Sequence, residues 1–124
     1  MRLLATWDVP IKTVSEGNSR EHWHKKALRH TQQKNMINYY WLTMVRFDTL
    51  PLHIKMIRIA PRKLDDDNLQ FSLKHCRDYL ADCLIPGLQM GRADNDTRLS
   101  WSYGQEKGKP KEYAVRIEFY QTEE

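Results

Sequence analysis

The sequence predicts an α/β (α+β) fold: a mixed β-sheet carrying two long helices, in one domain spanning residues 1–124. Three observations predict it. Four short segments rich in β-branched, aromatic and long apolar residues are bounded by turn residues. One later stretch repeats apolar residues at helical spacing, and an earlier one is long, polar and basic. The resulting order is strand, helix, strand, helix, strand, strand. A length of 124 residues fits a single domain whose core needs neither disulfide nor metal.

The first segment, LLATWDVPIK, reads as a strand or extended stretch ended near Pro10. TVSEGNS follows as a turn-rich loop, in which Asn18 or Ser19 is placed to cap a helix reaching about Tyr40. Between Arg20 and Lys34 that helix carries Arg20, Lys25, Lys26, Arg29 and Lys34 against Glu21, five positive charges minus one negative, a formal +4. So lopsided a helix is either a solvated face or a surface that tracks phosphates. MINYYWLTMVRF ends the helix and leads to the sheet. PLHIKMIRIAP, Pro51 to Pro61, is the next strand. From Asp67 to about Leu84, the residues Leu69, Leu73, Cys76, Leu80, Cys83 and Leu84 recur at helical spacing, and Pro86 and Gly87 stop the helix. GLQMGRADND is a loop. TRLSWSYG and EYAVRIEFYQ are strands, joined as a hairpin by the basic loop QEKGKPKE.

The formal net charge of +4 is compatible with a polyanionic partner. Cys76 and Cys83 lie two helical turns apart, roughly 10 Å of rise, too far for a disulfide. Both read as buried free thiols, which points to a reducing compartment such as a cytoplasm. The N-terminal apolar run is too short for a signal peptide, and no stretch approaches the ~20 apolar residues of a membrane span, so no membrane partner is expected.

RKLDDDNLQ, Arg62 to Gln70, gathers three adjacent carboxylates that repel each other. Asp67 with Gln70 fits a capping box, which explains one aspartate or two. In extended backbone Asp65 and Asp67 point to one side, and two converging carboxylates suit Mg²⁺ and phosphate chemistry. Capping and metal binding compete for Asp67. A second acidic pair, Asp94 and Asp96 in GRADNDTRL, is either ordinary turn chemistry or, if the loop folds back, the source of a further ligand.

These residues resemble the RusA-type Holliday junction resolvases, many of them encoded by phages or prophages of bacterial hosts. The matching stretches are R-x-x-D-D-D-N-L with Lys74, Asp78 and Ala81 in the following helix, A-D-N-D-T-R-L-S-W-S-Y-G-Q from Ala93 to Gln105, and N-S-R-E-H-W from Asn18 to Trp23. The resemblance implies a RusA-like fold and a homodimeric, Mg²⁺-dependent endonuclease that cuts four-way DNA junctions symmetrically. It maps the essential metal-binding aspartates onto Asp65, Asp67 and Asp94, with Asp96 a helper or turn residue. Two positions depart from the family. Ala93 stands where a second acid is common, and Phe71 stands where some members carry a lysine. Lys74, two helical turns after Asp67, is the candidate substitute; otherwise it is an ordinary surface lysine.

Arg62 and Lys63, before the acid cluster, and Lys25, Lys26 and Arg29 on the first helix are the candidate DNA contacts. Lys107, Lys109 and Lys111 form a basic finger that either tracks DNA or keeps the hairpin soluble. His22 and His24 flank Trp23, but a spacing of two in a helix turns them ~200° apart, which argues against zinc. Trp23 reads as core ahead of a base-stacking platform. Tyr39 to Trp41 is the candidate dimer surface. The rival readings are a branched-DNA-binding relative without catalysis, and a protein–protein adaptor whose acids are only caps and turns.

Overall fold

The computed structural model describes residues 1–16, 22–44, 50–87 and 93–122. The elements are β1 (Arg2–Val9), α1 (Trp23–Thr43), β2 (Leu52–Ala60), α2 (Asp66–Leu84), a single 3-10 turn (Ala93–Asn95), β3 (Leu99–Lys107) and β4 (Ala114–Gln121). The α+β class, the mixed sheet and the two long helices are as the sequence predicts.

The sheet order is β1-β4-β2-β3. β2 pairs with β3 in parallel, from Leu52↔Leu99 to Ala60↔Lys107. β4 is antiparallel to both β1 and β2. The expected hairpin between the last two strands is therefore corrected: β4 inserts between β1 and β2, so the chain leaving β3 passes the end of β2. Gly108 marks that passage, its N–H donating to the Ala60 carbonyl at 2.8 Å. Gln105, Glu106 and Lys107, expected in the loop, complete β3. Parallel pairing requires a long crossover, and α2 is that crossover.

The strands alternate as a sheet with one covered face must. Val115, Ile117 and Phe119 of β4 are buried, as are Leu52, Ile54 and Met56 of β2. α2 lays Leu69, Leu73, Cys76 and Leu80 against them. Trp7 of β1 meets Phe119 at 4.7 Å between ring centroids and also contacts Tyr40 and Trp41. The Cys76 thiol is buried, and burial pushes it up to about 12. Cys83, expected buried, is half-buried and donates to Asn38 Oδ1 at 3.4 Å.

α1 buries a different kind of stripe: Arg29, Gln33 and Ile37. Gln33 Nε2 donates to the Lys12 carbonyl at 2.8 Å. Arg29 grips Glu16, whose side chain is fully buried, with Nη2 at 2.6 and 2.9 Å from its two oxygens. A polar inner face explains why this helix shows no apolar period. His22 caps it, Nδ1 accepting from His24 N–H at 3.2 Å. The expected caps Asn18 and Ser19 lie outside the described residues, as do Val45 to Phe47 and the loop positions 88–92.

Two outcomes follow. Leu73 is fully buried, so Leu73→Ala should cost about 2–5 kcal/mol in denaturant unfolding. His53 sits between β3 hydroxyls, with Nδ1 and Nε2 each 2.8 Å from Ser100 Oγ and Ser102 Oγ. Burial, then Lys55, lowers its pKa. Its contribution to stability is present above the unfolded value of about 6.5 and is lost as pH falls through the lower folded value. The unfolding midpoint should drop as pH falls from about 6.5 towards the lower folded value, and His53→Gln should flatten the drop.

Candidate metal and nucleic-acid site

The three aspartates stand at the start of α2 and are exposed. Asp65 is the N-cap, its Oδ1 accepting from Asn68 N–H at 3.0 Å, and Asp66 and Asp67 occupy the first turn. This corrects two expectations. The cap is Asp65, not Asp67, and the helix begins too early for Asp65 and Asp67 to be alternate residues of a strand. Two acids in a first turn favour the helix dipole. The turn is braced from both sides. Gln105 Nε2 donates to the Leu64 carbonyl at 2.6 Å while its Oε1 accepts from Leu64 N–H at 2.9 Å. Arg58 Nη1 donates to the Arg62 carbonyl at 2.7 Å, and Arg58 Nε to Thr13 Oγ1 at 3.0 Å. Arg62 and Lys63 are exposed, as phosphate contacts would need to be.

Asp94, in the 3-10 turn, docks elsewhere along the same helix. Its Oδ2 is 3.4 Å from Arg77 Nη2, and its carbonyl accepts from Trp101 Nε1 at 3.2 Å. Arg77 Nη1 donates to the Tyr103 hydroxyl at 2.7 Å, and its Nε is 3.6 Å from Asp78 Oδ1, an ionic contact too long for a hydrogen bond. Asp78 Oδ1, Asp94 Oδ1 and Arg77 Nε are buried without hydrogen-bond partners. Burial, then the Asp94 carboxylate, pushes the Asp78 pKa up, against Arg77 and Lys74. Burial disfavours the Arg77 charge, but Tyr103, Asp78 and Asp94 outweigh it and leave its pKa raised. The result is a carboxylate pair from two elements, with one guanidinium between them.

Asp67 and Asp78 are eleven residues apart on one helix, a rise of about 16 Å. Asp65, Asp67 and Asp94 are thus not brought together as a triad. Among the described residues, the one set of three potential ligands whose atoms all lie within 4.8 Å is Glu16, His30 and His75. Lys74 is exposed, and its charge acts on Asp78 one turn away, so it belongs with the Asp78–Asp94 pair. Asp96 chelates Arg98 through two 2.9 Å side-chain hydrogen bonds, which help lower its pKa to about 2. It is a turn residue. Ala93 is fully buried, so a carboxylate there would lose its water.

On α1, Lys25 is exposed and Lys26 half-buried, but Arg29 is corrected to an interior residue held by Glu16. Trp23 is also corrected: it is 65% exposed and lies between His22 and His24, with ring centroids 5.7 and 3.5 Å away. His22 and His24 do not diverge, since His22 precedes the helix; their rings stack at 5.0 Å. Of Tyr39 to Trp41, only Tyr39 is exposed. Tyr40 donates to the Asp8 carbonyl at 2.9 Å and packs with Trp41 on Trp7. Lys107, Lys109 and Lys111 are exposed.

No family model, curated protein or solved structure matches this chain. No helix among the described residues is long and apolar enough to cross a membrane. Sequence reasoning missed Arg77 and Tyr103 and assigned Asp78 no role. A usable signal was present: Arg77 and Asp78 are adjacent charges flanked by the core positions Cys76 and Leu80.

Asp78→Asn should stabilise the fold by on the order of 1 kcal/mol, because an amide donor replaces a repelled carboxylate beside the orphaned Asp94 oxygen. A raised folded pKa means the ionised form is penalised at neutral pH. The gain should therefore be present at pH 7 in urea unfolding and shrink as pH falls towards 4.

Proposed function

We propose that this chain is a Mg²⁺-dependent endonuclease for branched DNA, of the RusA resolvase type, acting as a homodimer on four-way junctions. The observation that carries the reading is the Asp78–Asp94 pair, with two buried carboxylate oxygens lacking partners. A hard divalent cation fits that donor set better than water does, since it offsets the repulsion as well as filling the lone pairs. Asp94 with Asp78 would hold one ion. The Asp65–Asp67 turn is a second carboxylate group on the same helix. Mg²⁺ held by these carboxylates would offset charge on a scissile phosphate and favour attack by water.

The chain's own residues do the rest. Lys74, four residues before Asp78, would neutralise a phosphate. Arg77 holds Asp94 in place from the Tyr103 side. Lys25, Lys26, Arg62 and Lys63 take backbone phosphates, and the exposed Trp23 stack offers a face to an unpaired base. Symmetric cutting of a two-fold junction requires two such sites, which is the reason for a C₂ dimer.

The test is a labelled synthetic four-way junction incubated with Mg²⁺ or with chelator. Paired nicks that require Mg²⁺ and vanish in Asp94→Asn and Asp67→Asn are expected. The separation of Asp67 from Asp94 favours a second reading, a relative that binds junctions without cutting them. Binding that survives chelator, with no cleavage under Mg²⁺ or Mn²⁺, would select it. In either case Lys25→Gln should weaken junction binding at every sequence and reduce the slope of log affinity against log salt by about 1. A titration at several salt concentrations measures this.

A further inference from the structure

We propose that Glu16, His30 and His75 form a second, separate metal site, selective for a borderline transition-metal ion such as Zn²⁺. The three side chains come from three different segments: the strap after β1, the N-terminal half of α1 and the middle of α2. One ligand atom from each lies within 4.8 Å of the others. His30 Nε2 is 3.2 and 3.3 Å from the two Glu16 oxygens. Tetrahedral zinc with bonds of about 2.0–2.1 Å holds its ligand atoms about 3.3 Å apart, so this pair already has the separation required. The His30 and His75 rings lie 3.8 Å apart between centroids, inclined by 31°.

The donor set decides the class of ion. Two imidazoles and one carboxylate favour zinc, cobalt or nickel over magnesium, which prefers oxygen ligands. Three protein ligands also match the open zinc sites that leave a fourth position for water. Glu16 is fully buried, and Arg29 grips both of its oxygens. That guanidinium competes for the carboxylate, but it also keeps it ionised and oriented. Hydrogen-bonded carboxylates are the rule among metal ligands. Because Arg29 and His30 satisfy Glu16 without an ion, the fold does not require metal; the ion would tighten it.

The position also has a consequence. The strap that carries Glu16 carries Thr13, which holds Arg58, and Arg58 holds the Arg62 carbonyl at the approach to the three aspartates. An ion tying the strap to both helices would stiffen that approach.

The experiment uses the full chain stripped with chelator and titrated with Zn²⁺ and with Co²⁺. Calorimetry should show one equivalent bound and a raised unfolding midpoint, and Co²⁺ should develop visible absorption of a low-coordinate site. Millimolar Mg²⁺ should not compete. His75→Gln and His30→Gln should each weaken binding by about tenfold or more, while the His22→Gln/His24→Gln double variant should bind as the parent does. Glu16 is left intact, since its loss would remove the buried carboxylate that Arg29 grips. No saturable Zn²⁺ binding would overturn the proposal. So would binding that His75→Gln leaves unchanged, or that disappears with His22 and His24. Junction cleavage is measured in the same variants, and its absence in the parent would bear on the aspartate site alone.

Discussion

The parallel pairing of β2 with β3 is the constraint on which the rest of the molecule depends. Two parallel neighbours cannot be joined by a turn, so the chain must travel back along the sheet before β3 begins. α2 makes that journey over 19 residues. It starts where β2 ends, at the three aspartates, and runs back towards the end where β2 begins. The same crossover buries Leu69, Leu73, Cys76 and Leu80 against the sheet, so one helix serves as connection and as half of the core. It also determines the separation of the acidic groups. The aspartate turn stands at one end of the helix, and Asp94 docks a further three turns along it.

The three adjacent carboxylates therefore have a partly local explanation. One caps, two sit in the favourable first turn, and all three stay in water, where mutual repulsion is mild. The electrostatic tension lies instead at Asp78 and Asp94, which share burial and a single guanidinium between them. There each carboxylate retains an oxygen with no partner. Half-satisfied polar clusters of this kind cost stability.

A second polar centre lies where the strap, α1 and α2 meet. Glu16 and Arg29 are buried together, and His30 and His75 close around them. Breaking such a pair by removing one partner is far more costly than never having it. The pair thereby fixes how α1 lies against the strap and α2. With it, α1 needs only a narrow buried stripe, which leaves its basic outer residues and the Trp23 stack in solvent.

Much of this was legible in the sequence. Alternation over Pro51–Pro61 and Ala114–Gln121, and helical spacing from Leu69 to Leu84, are local patterns set by the period of the backbone. They located the strands and α2 to within a few residues. Capping near the aspartates was also readable, though the capping residue was two positions earlier than Gln70 suggested. Tertiary structure decided what lies far apart in the chain. Nothing local says that β4 enters between β1 and β2, because strand order is settled by which faces bury together. Nothing local says that Arg29 turns inward, since a buried arginine is defined by a glutamate thirteen residues away. The pairing of Asp94 with Asp78 rather than with Asp67 belongs to the same class. A carboxylate's chemistry is written in its residue type, but its partner depends on the length of the helix that separates them.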